Sequence, residues 1–98
     1  MMCNNRLTVL GSRAQVQRFQ KSHWDRRLRA RHCELLENSD RRFACQFETE
    51  ALPVQSLQRL SRAWPGLTLL LDYEVEESRI KGLAKAKAGQ LEHYEISY

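Results

Sequence analysis

The chain predicts an α+β domain, and three observations carry that prediction. Short stretches alternate apolar and polar residues with the period-2 pattern of half-buried strands, as in Leu67, Leu69, Leu71, Tyr73 and Val75. Two other stretches place apolar residues three and four apart, the spacing of helices with one buried face. The elements follow in the order strand, helix, strand, strand, helix, strand, and then a further hairpin. Two helices on one face of an antiparallel sheet is the economical packing for that order. The expected architecture is therefore a ferredoxin-like βαββαβ sheet, extended by a C-terminal β-hairpin, with residues 1–98 forming a single domain.

The first strand is read from Cys3, Asn5, Leu7 and Val9, which alternate with Asn4, Arg6, Thr8 and Leu10 and stop at Gly11. Ser12 is placed to cap a helix over 13–24, with Val16, Phe19 and His23 as its narrow buried stripe. Arg26, Arg27, Arg29 and Arg31 then crowd a segment whose only sizeable apolar residue is Leu28. A short strand over Cys33–Glu37, the turn Asn38-Ser39-Asp40, and a second strand through Phe43, Cys45, Phe47 and Thr49 make a hairpin.

Pro53 suits a first helical residue, because it has no amide hydrogen to leave unpaired there. Val54, Leu57, Leu60 and Trp64 share one face of the helix it opens, and Pro65-Gly66 stops that helix. The Leu67–Val75 strand follows. Ile80, Gly82, Ala84, Ala86 and Ala88 then alternate with Lys81, Leu83, Lys85 and Lys87. Gly89-Gln90 reads as a turn, and Leu91–Tyr98 as a last strand with Tyr94, Ile96 and Tyr98 on one side.

Composition narrows the functional classes. No run approaches the roughly 20 apolar residues that span a bilayer, and the N-terminal stretch lacks an apolar signal-peptide core. Three cysteines at unpaired spacings suit free thiols in a reducing compartment, so a cytoplasmic protein without membrane contact is expected. The net charge of +4 is uneven: residues 1–49 carry net +5 and residues 50–98 net −1.

Some of these residues resemble a known family. Cys3-Asn4-Asn5-Arg6-Leu7-Thr8-Val9-Leu10-Gly11 is similar to the opening C-x-N-x-L-x-V-x-G of YubB-like proteins from plasmids, phages and bacterial genomes. Phe47, Thr49, Pro53, Leu60-Ser61, Trp64-Pro65, Tyr73, Glu74, Gly82 and Gly89 resemble that family's ferredoxin-like domain. Met2, Glu50 and Ala51 stand where the family usually has tryptophans or their neighbours. The resemblance implies the fold and a bacterial or mobile-element setting, and it transfers no catalytic residue.

No motif points to catalysis, a metal or a cofactor. His32-Cys33 and Cys45 lack the paired spacing of ligands, and Cys45 reads as a small core residue between Phe43 and Phe47. His23, His32 and His93 stand in no nucleophile–base signature. Asp72, Glu74 and Glu76 are expected to meet Lys81, Lys85 and Lys87 as cross-strand pairs. The open sheet face is read as Arg6, Thr8, Arg42, Gln46, Glu48, Thr68, Leu70, Asp72 and Glu74, with no aromatic on which a base could stack.

Two candidate surfaces are left. Tyr94, Ile96 and Tyr98 could add a strand from a protein partner or from a second copy, against the alternative that they pack under the helices. Arg26, Arg27, Arg29 and Arg31 could contact nucleic acid, against the alternative of a solvated loop or a charged edge. The expected function is a small non-enzymatic interaction module, with weak nucleic-acid binding as the alternative.

Overall fold

The computed structural model describes residues 1–98. Six strands form one antiparallel sheet in the order β2-β3-β1-β4-β5-β6, and three helices cover one of its faces. No helix is long and apolar enough to cross a membrane.

β1 (Cys3–Leu10) lies near the centre of the sheet, paired to β3 (Arg42–Thr49) on one side and β4 (Thr68–Val75) on the other. Its alternation is kept: Cys3, Asn5, Leu7 and Val9 are buried against the helices. Asn5 is the polar exception, and its hydrogen bonds explain how it is tolerated. Its Nδ2 donates to the Cys3 carbonyl at 3.2 Å and to Thr49 Oγ1 at 3.0 Å, while Thr49 Oγ1 donates to the Ala51 carbonyl at 2.7 Å.

Ser12 caps α1 (Arg13–Lys21), its Oγ accepting from the Gln15 amide at 3.3 Å. The expected helix over 13–24 is broken. Ser22 closes α1 by donating both its amide and its hydroxyl to the Phe19 carbonyl, and a second helix, α2 (Trp24–Leu28), begins. The break turns Trp24 and Leu28 into the core and leaves His23 exposed, so His23 does not belong to the buried stripe. Trp24 stacks on Phe19 at 6.0 Å and meets Phe43 and Phe47 edge-on at 5.8 and 5.7 Å.

β2 (Arg31–Asn38) is longer than the segment expected and is exposed throughout, an edge strand with two register shifts against β3. α3 (Val54–Ala63) buries Val54, Leu57 and Leu60, as the spacing requires. Pro53 is its N-cap rather than its first helical residue, and the Pro53 carbonyl accepts the amide of Leu57 at 2.9 Å. β4 buries Leu69, Leu71, Tyr73 and Val75. After a single 3₁₀ turn (Glu76–Ser78), β5 (Ile80–Lys87) and β6 (Gln90–Ser97) complete the sheet.

Candidate functional site

The β5–β6 hairpin closes on two residues, one position earlier than the expected Gly89-Gln90 turn. Ala88 and Gly89 have φ of 50° and 83°, the pair of positive values that matches the twist of a two-residue hairpin. α3 holds this turn in place: Gln58 Nε2 donates to the Gly89 carbonyl at 2.9 Å, and the Gly89 amide donates to Ser61 Oγ at 3.0 Å. The register runs unbroken from Lys87 opposite Gln90 to Ile80 opposite Ser97.

That register fixes where the last strand's side chains point. Tyr94 lies opposite Leu83 and Ile96 opposite Lys81, on the face away from the helices. They do not pack under the helices. Tyr94 is 70% exposed, Ile96 63%, Leu83 55% and Tyr98 44%. Leu83 lies opposite Asp72 of β4, so a shallow concavity of about 510 Å³ opens between Arg6, Asp72, Leu83, Tyr94 and Ile96.

The open face thus differs from the one read in the sequence. The hairpin extends it and adds two tyrosines to a surface expected to have no aromatic. Carboxylates stand among them: the Tyr98 hydroxyl donates to Glu74 Oε2, and Asp72 lies beside Leu83. This hydrogen bond, with its negative partner, raises the Tyr98 phenol above its ordinary value. Lys81 and Arg79 approach the Tyr98 ring, at 5.2 and 5.5 Å from its centroid. Tyr98 is held among charges, whereas Tyr94 stands clear.

The expected row of cross-strand ion pairs is also corrected. Only Glu74 faces a lysine, Lys81, and it binds Tyr98 instead; Asp72 faces Leu83, Lys85 faces Leu70, and Glu76 lies in the 3₁₀ turn.

On the helix side of the hairpin, Tyr73 reaches across β5 to β6. Its hydroxyl lies 2.5 Å from His93 Nε2 and donates to Glu95 Oε1 at 2.6 Å. Burial first, and then the Glu95 carboxylate, raise this phenol well above its usual range. It is a proton-holding tie between strands.

The arginine segment is divided between α2 and the start of β2. Arg27, Arg29 and Arg31 line a cleft at the N-terminus of α3, and α3 adds Arg59 to it. Arg26 is exposed and does not line the cleft. Arg31 Nη1 donates to Glu50 Oε1 at 2.8 Å.

All three cysteines are free. Cys3 and Cys45 are buried and Cys33 is exposed. Burial pushes the Cys45 thiol up to about 12 and raises Cys3 as well, so neither is a nucleophilic thiolate near neutral pH.

Two participants escaped sequence reasoning. Leu83 left a signal, being the one large apolar residue in the exposed row of Lys81, Lys85 and Lys87. Arg59 left none, because only the fold carries it to a segment about thirty residues away in sequence. Comparison with protein-family models, with curated proteins and with solved structures returned no match.

Proposed function

We propose that the protein is a non-enzymatic interaction module that associates with a second copy of itself along β6. The observation that carries this reading is the contrast between its two sheet edges. β2 exposes Leu35 and Leu36 but is interrupted by two register shifts and the left-handed residue His32 (φ 54°), and it carries Arg31, Glu34 and Glu37, which oppose regular pairing. β6 is eight residues long, regular, and flanked by Tyr94, Ile96 and Leu83.

The strand is self-complementary. The Tyr98 amide donates to the Arg79 carbonyl at 2.8 Å, so residues 90, 92, 94, 96 and 98 turn their backbone groups to β5. Residues 91, 93, 95 and 97 then turn theirs outward. An antiparallel pair centred on Tyr94 joins these outward groups, His93 facing Glu95 of the second copy and Leu91 facing Ser97. On the open face Tyr94 lies against its own equivalent, with Ile96 flanking it on either side. The two sheets become one of twelve strands, the isologous arrangement expected of a twofold dimer.

The strand order β2-β3-β1-β4, with helices following β1 and β3, supports the ferredoxin-like reading of these four strands. The YubB-like resemblance and its bacterial or mobile-element, cytoplasmic setting belong to the same proposal. The nucleic-acid alternative rests on the arginine segment rather than on the open face, where Asp72, Glu74 and Glu92 stand among Arg6, Lys81, Lys85 and Lys87.

Sedimentation of the full chain over a wide concentration range tests the dimer. A mass rising to twice the monomer is expected. Tyr94→Lys, which sets two ammonium groups against each other on the twofold, is expected to leave a folded monomer. A chain that is monomeric at every concentration, or a Tyr94→Lys variant that still dimerises, overturns the reading.

A further inference from the structure

We infer that the cleft between α2, the start of β2 and the N-terminus of α3 is a binding site for a phosphate monoester dianion, as carried by a nucleotide or another small phosphorylated molecule. The cleft is about 640 Å³ and is lined by Arg27, Arg29, Arg31, Arg59, Ser56 and Glu50 among others. Four arginines drawn from three segments therefore line one concavity with a single carboxylate among them. Like charges gathered this way repel one another unless an anion joins them.

The pairing within the cleft is incomplete. Arg31 is bonded to Glu50, but Arg27, Arg29 and Arg59 form no ion pair with any carboxylate. Arg59 Nη2 donates only to Ser56 Oγ, at 3.1 Å. The Arg31–Glu50 pair is itself largely exposed, at 57% and 74%, and such pairs are weak enough to be exchanged. A planar guanidinium fork matches the oxygens of a phosphate two at a time.

The backbone agrees with the side chains. Pro53 caps α3 with no side-chain bond, the first turn of that helix carries no acidic residue, and Pro53 and Ser56 bring that turn to the wall of the cleft. Arg29 closes α2 in the left-handed region, at φ 55°, and this turn carries Arg29 and Arg31 round to the same cleft as Arg27. Four arginines with one carboxylate among them favour a terminal dianion over a phosphodiester, which offers one charge and two free oxygens.

The inference is independent of the β6 pairing, since no β6 residue lines the cleft. It is tested by NMR titration of the full chain with sodium phosphate and with a nucleoside monophosphate, against sodium chloride at matched ionic strength. An end-blocked single-stranded oligonucleotide serves as the diester arm. Saturable shifts confined to residues 27–31, 49–52 and 54–59 are expected with both phosphates. Affinity for the nucleoside monophosphate should fall between about pH 7.5 and about pH 5 as the dianion takes up a proton near pH 6.

Arg27→Gln and Arg59→Gln should each weaken binding about tenfold or more, and Arg18→Gln, at an exposed position of α1, should not. Glu50→Gln, which removes the competing carboxylate and frees Arg31, should tighten binding several-fold. Shifts that chloride reproduces, or a Glu50→Gln variant with unchanged affinity, overturn the proposal. Tighter binding of the end-blocked oligonucleotide than of the monophosphate reassigns the cleft to a nucleic-acid backbone and equally overturns it.

Discussion

Gly82 shows how one residue organises its surroundings. It lies opposite Tyr73 in the β4–β5 register, and a Cβ placed on it would stand 2.0 Å from Tyr73 Cζ. The absent side chain lets the tyrosine ring lie flat over β5 and reach His93 and Glu95 on β6. Gly82→Ala is therefore expected to destabilise the protein by about 1–3 kcal/mol through overpacking. The cost should shrink in a Tyr73→Ala background, since neighbours in contact are not additive. Denaturant unfolding of the two single variants and the double variant measures this. The alternation around Gly82 is plain in the sequence, but the ring that needs its vacancy is nine residues away.

At the scale of elements, α2 is the informative case. Five residues cannot hold a helix by themselves, because nucleation costs more than one turn returns. The helix exists because Trp24 and Leu28, four apart, enter the core together. Trp24 packs on Phe19, Phe43 and Phe47, joining α1 to β3. Trp24→Ala is expected to cost about 3–5 kcal/mol in denaturant unfolding, the range for truncating a buried large aromatic. Amide exchange in α2 should quicken more than in β1. The i, i+4 pair was visible in the sequence, but the arginines around it obscured the pattern. α3 is legible except at its ends, since no charge interrupts its apolar stripe, but Pro53 and Trp64 are its caps and not part of it.

The whole molecule should respond to alkaline pH through its buried thiols. Burial raises Cys45 from an ordinary value of 9.0 to about 12, and it also raises Cys3. A thiol whose value is higher when folded favours the native state while both states are protonated. That contribution is complete below about pH 9 and is lost as pH climbs toward about 12, where the unfolded chain alone ionises. Stability should fall by at most about 1.4 kcal/mol per pH unit for Cys45 over that window. Urea unfolding from neutral to alkaline pH checks this, and a Cys45→Ala variant should show a shallower slope. The same whole-molecule view separates the two sheet edges: β2 is irregular, with two register shifts, and β6 is regular.

By itself the sequence determined the strands, the apolar faces, the α3 stripe and the Ser12 cap, because these depend on periodicities of two and 3.6 residues and on local hydrogen bonding. It also isolated Tyr94, Ile96 and Tyr98, and the arginine segment, as residues that local structure does not require. Only the tertiary structure decided which sheet face Tyr94 occupies, since a one-residue change of register reverses every side chain of a strand. It alone joined Leu83 to Tyr94 and Arg59 to Arg27, Arg29 and Arg31. Those pairs are distant along the chain, and their meeting depends on strand order and helix placement rather than on any local pattern.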